Sequence, residues 1–268
     1  MTGATLHYEV RGRGPLLLLI PGGAGGAASF DEIADDLAAE YTVATYDPRG
    51  MSGSTLDDPA AAQRVAEHAD DALRILDLLS PGAPARVFGT SSGAIVALHL
   101  LTARPERIER VIAHEPPVVE VLPDAPAHRA LLARVRETLD GQGLMPAMAV
   151  FAAGLKKEGK TAGPKSAVEL PPQATARAER TMVNLPYFVG RIVPAFMSYA
   201  PDVDRLEALA DRLVLAGGED SRGELPYRPA AFLAERFGAE LQHFPGGHTG
   251  RTTHPAGFGE RLRKALRA

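Results

Sequence analysis

The chain has 268 residues, 45% of them hydrophobic and 23% charged, with a formal net charge of −4. That length suits one large α/β domain or a core with an insertion, and such a chain buries about three quarters of its unfolded surface without covalent staples. Cysteine is absent, which excludes disulfides and cysteine-based zinc sites, and the near-balanced charge gives no electrostatic case for nucleic acid or an anionic membrane.

Residues 6–10 alternate and read as a strand. Residues 15–20 end in an aliphatic run, as expected of a strand buried on both faces of a parallel sheet. The run is too short to span a bilayer, and Pro21-Gly22-Gly23 ends it at once, so a soluble cytoplasmic protein is expected. Residues 29–40 have helical periodicity, with Phe30, Ile33 and Leu37 on one face. A strand at 41–46 leads into Asp47-Pro48-Arg49-Gly50, and 63–79 reads as a long amphipathic helix. Residues 86–89 read as a strand, 92–103 as a helix, and 110–114 as a strand stopped by Pro116-Pro117.

From 118 to 206 the alternation stops and the sequence reads as helical, with loops rich in proline and glycine; Lys156-Lys157-Glu158-Gly159-Lys160 reads as a solvated turn. The rhythm resumes with a strand at 212–216, a helix at 229–237, a strand at 240–244 and a last helix at 256–266. Alternating βα units imply a mostly parallel, twisted central sheet with helices on both faces. A helical block inserted after one strand implies a cap over the sheet's carboxyl edge, where ligands bind in open α/β folds. The expected organisation is a core of residues 1–117 and 207–268 with a cap of residues 118–206.

Within that framework Gly89-Thr90-Ser91-Ser92-Gly93 reads G-x-S-x-G between a strand and a helix, the setting of a nucleophile elbow. The apex residue is strained, and its neighbours two positions away must be small so that strand and helix can approach. Gly89 and Gly93 meet that demand around Ser91; centring on Ser92 would put Thr90 and Ala94 there. Ser91 is therefore the candidate nucleophile.

With the elbow and the interrupted βα rhythm, the chain resembles the α/β-hydrolase family over nearly its whole length. Pro21-Gly22-Gly23-Ala24-Gly25-Gly26 stands where the family has its His-Gly oxyanion turn, with Pro21 in place of the histidine. Asp47-Pro48-Arg49-Gly50-Met51-Ser52-Gly53-Ser54 resembles the D-x-R-G-x-G-x-S segment, with Ser52 where glycine is usual; the resemblance implies that Asp47 and Arg49 brace loops. Thr90 and Ser92 stand where many relatives have His and Met. Gly217-Gly218-Glu219-Asp220 resembles the turn carrying the acid, and Phe244-Pro245-Gly246-Gly247-His248 the turn carrying the histidine.

The resemblance implies a triad of Ser91, Asp220 and His248, in the family's chain order. A serine hydroxyl needs a base within reach and a third group to hold that base in the right tautomer. Glu219 competes with Asp220, and Glu115 is a further rival because some relatives place the acid after the preceding strand. His243 lies within a strand and is not expected to serve as the base. The developing oxyanion needs preorganised donors, expected from the N–H groups of Gly23 and Ser92, the latter at a helix start. The glycine turn lacks the Lys-Ser/Thr of a phosphate-binding loop, so nucleotide is not expected.

The block 118–206 carries Met145, Met148, Met182 and Met197 together with Phe151, Tyr187, Phe188, Phe196 and Tyr199. Methionines and aromatics there suit an adaptable apolar pocket, and Met148, Phe151, Tyr187 and Phe196 are expected to face the substrate. Ala24, His114 and Glu115 are expected to line it from the core. These readings predict a serine hydrolase that cleaves a carboxylic ester or lactone of a small, fairly apolar molecule through an acyl-serine intermediate, with no cofactor or metal. A thioesterase would use the same triad; a non-hydrolytic enzyme or a ligand-binding receptor would keep the elbow without hydrolysis.

Overall fold

The computed structural model describes residues 3–156 and 172–267; Lys157–Lys160 of the expected solvated turn fall outside them. The described residues include the strands β1 (Ala4–Thr5), β2 (Tyr8–Arg11), β3 (Leu16–Ile20), β4 (Thr42–Tyr46), β5 (Thr55–Leu56), β6 (Ala85–Thr90), β7 (Ile108–His114), β8 (Leu213–Gly218) and β9 (Gln242–Phe244). The core helices before the insert are α1 (Asp31–Leu37), α2 (Val65–Leu79) and α3 (Ser92–Ala103). The stretch between β7 and β8 holds α4 (Ala125–Gln142), α5 (Leu144–Leu155), α6 (Pro172–Tyr187), α7 (Val193–Met197) and α8 (Val203–Glu207). The core resumes with α9 (Tyr227–Arg236), α10 (Gly250–Thr253) and α11 (Pro255–Arg267).

Seven strands form one sheet in the order β2-β4-β3-β6-β7-β8-β9, parallel throughout except for the β2–β4 pair. The all-apolar β3 sits inside this sheet and is buried at every position, which is why its sequence shows no alternation. Its side chains still divide by the two-residue period of a strand. Leu16, Leu18 and Ile20 join the apolar cluster under α2 and α3, whereas Leu17 and Leu19 join the cluster under α1 and α11. After β3 the chain steps outward to β4 and then returns to place β6 on β3's other side. Such a reversal opens a crevice at the carboxyl ends of β3 and β6, the place where open α/β sheets bind ligands.

The insert has an apolar cluster of its own, including Leu131, Leu132, Val135, Ala147, Phe151, Val189, Val193 and Met197, joined by Leu225 from the core. The helix expected over 29–40 is shorter than its periodicity suggested: a tight turn at Ala27–Phe30 precedes α1. The first sheet strand also begins later than expected, at Tyr8.

His68 and His114 lie in the interior of the core. His68 on α2 shares a hydrogen bond with Gln63 (3.1 Å), and His114 at the end of β7 is ringed by Phe88, Phe244 and Phe258. Burial pushes each down to about 3; for His114 the neighbouring Glu115 carboxylate opposes the shift without cancelling it. Both are thus neutral in the fold at pH values where the unfolded chain, near 6.5, is protonated. A depressed folded value means stability present above the unfolded pKa and lost as pH falls. Each imidazole should cost about 2 kcal/mol between pH 7 and pH 5, about 4 kcal/mol together. Urea unfolding at the two pH values reads this, and His114→Phe should remove about half of the loss. An identical pH loss in that variant would show that His114 takes up its proton inside the fold.

Candidate active site

Three glycines make the elbow. A Cβ on Gly89 would lie 2.4 Å from the Gly93 carbonyl oxygen, one on Gly93 2.3 Å from that of Ile20, and one on Gly22 2.6 Å from Ser91 Cβ. Strand β6, helix α3 and the end of β3 therefore approach at distances that only glycine permits, and Ser91 is held at the apex. Its φ of 54° and ψ of −125° are a left-handed conformation that costs energy for a non-glycine residue. The Ser91 N–H donates to the carbonyl of His114 (2.9 Å), so β7 fixes the elbow from the other side.

The histidine arrives from the opposite end of the chain. Gly246, at φ 78°, lets the turn after β9 fold back, and the turn packs on the loop after β8. There a Cβ on Gly218 would meet the Gly246 oxygen and Gly247 Cα at 2.7 Å. His248 Nδ1 lies 2.5 Å from Glu115 Oε2. Glu115 follows β7, is fully buried, and holds φ 50° while its N–H pairs with the Ala216 carbonyl (2.9 Å). Its other oxygen, Oε1, accepts from the Gly218 N–H (2.8 Å) and from the Ser221 hydroxyl. Burial alone would raise this carboxyl group, but the bond and charge of His248, with help from Ser221, hold it below the ordinary carboxylate range.

The acid expected at Asp220 is thus replaced in the geometry by Glu115. Asp220 is exposed, and its N–H donates to the Gly246 carbonyl (3.0 Å), joining the two turns. The tight Glu219–Ser221 turn points its donors, Gly218 N–H and Ser221 Oγ, at the Glu115 carboxylate. The Gly-Gly-Glu-Asp turn supports the acid instead of supplying it. His243 bonds to the Tyr227 hydroxyl (2.9 Å) and takes no part in the site.

Ser91 and His248 line one cavity of about 220 Å³ together with Gly22, Gly23, Pro117, Thr249 and Arg251. Among the described contacts no hydrogen bond joins Ser91 to His248, a link that in many enzymes tightens only with substrate bound. Of the two expected oxyanion donors, the Ser92 N–H opens α3, where the first amides of a helix lack intrahelical partners. The Gly23 N–H, on a residue with φ 64°, instead donates to Ser92 Oγ (3.0 Å). The Ser92 hydroxyl therefore engages the donor expected to meet the oxyanion.

A sequence profile of the alpha/beta hydrolase fold matches residues 15–234. The chain belongs to the alpha/beta hydrolase family. A relative named Uncharacterized hydrolase YraK, from Bacillus subtilis (strain 168), is 36% identical over 271 residues, covering 98% of this chain and 93% of the relative. Among solved structures, a thermophilic esterase from Thermogutta terrifontis superposes with a TM-score of 0.75 at 19% identity, covering 98% of this chain and 93% of the esterase. Est816, described as an N-acyl homoserine lactone degrading enzyme, gives 0.73 at 22% identity, covering 98% and 97%. These two likenesses are of fold.

Within this hydrolase fold the insert supplies Phe151, Leu155, Phe188 and Met197 to the cavity wall. Only Phe151 among the expected pocket side chains is there. Tyr187 packs its ring over Gly50, and Phe196 sits in the core edge-on to His68. Their chain neighbours Phe188 and Met197 face the cavity instead. One residue turns a helix face by about 100°, and a π-turn at Phe188–Ile192 shifts the register between α6 and α7. Met148 packs into the insert's own cluster, while Met145 and Met182 are exposed. Ala24 and His114 are buried and do not line the cavity, and Glu115 bonds to His248 and is likewise absent from the cavity wall. Asp47 and Arg49 are braces: Asp47 accepts from Ala27 and Gly53 N–H groups (both 2.9 Å), and Arg49 grips buried Asp71 through two nitrogens (2.6 and 2.8 Å).

Ser221 and, along the cavity, Pro117, Leu155, Phe188, Met197, Pro226, Thr249 and Arg251 were not assigned by the sequence reading. Ser221 lies one position past the turn resembling the acid-bearing segment, and its role depends on a partner 106 residues away. Among the described residues no helix is long and apolar enough to cross a membrane, and no group of three His, Asp or Glu side chains could hold a metal.

Proposed function

We propose that this chain is a serine hydrolase that cleaves a carboxylic ester or lactone of a small, fairly apolar molecule through an acyl-serine intermediate. The observation that carries the reading is the His248–Glu115 pair opening onto the same cavity as Ser91. With Nδ1–H committed to the Glu115 carboxylate, His248 presents Nε2 as the base. Ser91 Oγ attacks the carbonyl carbon and its proton passes to Nε2; Glu115 stabilises the resulting imidazolium. The carbonyl oxygen gains negative charge and is met by the Ser92 N–H, and by the Gly23 N–H once Ser92 Oγ yields it. Collapse returns the proton to the leaving alkoxide, which in a lactone stays attached as a hydroxyl on the acyl chain. Water, activated by the same imidazole, then releases the acid. The wall of Pro117, Phe151, Leu155, Phe188, Met197 and Pro226 excludes water and suits an apolar acyl or alcohol group.

The test is a fluorophosphonate probe followed by a panel of short esters, lactones and thioesters of matched acyl chain. The expected result is labelling at Ser91, with oxygen esters or lactones turned over at the highest kcat/KM. Thioesters leading the panel would move the reading to a thioesterase. Labelling without turnover of any member would point to a receptor or a non-hydrolytic enzyme on the same fold.

A further inference from the structure

Asn184, near the end of α6 in the insert, is 4% exposed and spends its side-chain amide on two loops of the core. Its Nδ2 donates to the Ala24 carbonyl and to Ser52 Oγ, and its Oδ1 accepts from the Ser52 N–H, each at 2.9 Å. Both donors of the amide are used, which fixes which way it faces. Ala24 follows Gly23 in the glycine turn. Ser52 lies in the loop after β4 and holds φ 50°, a left-handed conformation at a position where glycine would be unstrained. Asn184 thus meets both the N–H and the hydroxyl of that strained residue. From below, Asp47 ties the same two loops through Ala27 N–H and Gly53 N–H, and a Cβ on Gly26 would sit 2.1 Å from Asp47 Oδ1. The turn carrying the Gly23 N–H is thus clamped between a core carboxylate and an amide from the insert.

Building on the hydrolase reading, we infer that Asn184 is a positioning residue: it couples the placement of α6 to the oxyanion turn, so that docking the insert and fixing the turn that carries the Gly23 N–H are one event. An insert that lifts away takes the Ala24 carbonyl's partner with it and frees the turn that aims Gly23. The clamp acts on the reacting carbonyl and not on the substrate's remote groups. Its loss therefore lowers kcat for every ester, including one too small to touch the insert.

The experiment compares p-nitrophenyl acetate with p-nitrophenyl octanoate in wild type, Asn184→Ala, Asn184→Asp and Val189→Ala. Val189 is buried in the insert's own cluster, so its truncation loosens the insert without touching the turn. Asn184→Ala should lower kcat for both esters about 10- to 100-fold with little change in KM, and slow fluorophosphonate labelling by the same factor. Asn184→Asp, which sets a carboxylate against the Ala24 carbonyl, should be at least as impaired. Val189→Ala should keep acetate kcat within about twofold of wild type. Hydrogen exchange of the amides at 22–26 should rise in the Asn184 variants and not in Val189→Ala. An Asn184→Ala enzyme that loses only octanoate KM, or a Val189→Ala enzyme equally impaired on acetate, would overturn the inference. A wild type that neither turns over esters nor labels would overturn the hydrolase reading instead, and the exchange comparison would still decide the clamp.

Discussion

Changing Glu115 to Gln should lower kcat about 10⁴-fold, whereas changing Asp220 to Asn should leave it within about twofold of wild type. The reason lies in which oxygen is already spoken for. Glu115 Oε1 accepts from Gly218 N–H and Ser221 Oγ, so a glutamine there would keep its carbonyl oxygen on those donors and turn its NH₂ toward His248. An NH₂ facing Nδ1 makes Nδ1 an acceptor. The ring proton then moves to Nε2, the atom that must take the Ser91 proton. The imidazole is left in place but in the wrong tautomer, with no carboxylate to stabilise its cation. Asp220, by contrast, is exposed and holds its loop through a backbone N–H that asparagine retains. Steady-state kinetics on any turned-over ester, with near-ultraviolet dichroism to show that Glu115→Gln stays folded, decides between the two carboxylates. A large loss in Asp220→Asn with Glu115→Gln active would reverse the assignment.

Ser91→Ala should abolish fluorophosphonate labelling and lower kcat about 10⁶-fold, leaving only what positioning and the oxyanion donors supply. Alanine fits: it is smaller than serine, and the crowding at the elbow comes from Gly22, Gly89 and Gly93. Ser92→Ala should keep the label, because Ser92 points its hydroxyl at the Gly23 N–H and contributes to the site through its backbone. Loss of label in Ser92→Ala with Ser91→Ala still reactive would place the nucleophile one residue on.

Much of this was legible before the fold was known, and the exceptions share a cause. The elbow could be read because its constraint is local: small residues at fixed offsets from Ser91, between a strand and a helix. The buried strand at Leu16–Ile20 and the helix at Ser92–Ala103 were readable for the same reason, since hydrophobic pattern acts within a few residues. His248 was marked by its Pro-Gly-Gly turn. The acid was not so marked, because β7 and β8 are neighbours in the sheet and an acid at the end of either can reach the histidine. Glutamate from β7 and aspartate from β8 are alternative solutions to one distance, and sequence spacing does not choose between them. Glu115 was visible as a rival; the Gly218 and Ser221 donors that favour it are 103 and 106 residues away. Two of the pocket side chains failed by a single step along the helix, Tyr187 for Phe188 and Phe196 for Met197. A π-turn changes which side chain faces inward, and a motif of mixed apolar residues carries no sign of it.

The order in which the ribosome makes these parts has a consequence. Ser91, the glycine turn and Glu115 are all present once Glu115 has emerged, but His248 follows Glu115 by 133 residues. At 5–20 residues per second that interval lasts roughly 7 to 27 s. Throughout it the nascent chain carries Ser91 without His248, and a Glu115 carboxylate that lacks its imidazole. An ionised group is expensive to bury without partners, so the β7 end has reason to stay open to water until Gly218, Ser221 and finally the last turn are delivered. On the mechanism proposed above, the His248–Glu115 pair that activates Ser91 is therefore a late product of translation, and a message truncated before β9 would lack it.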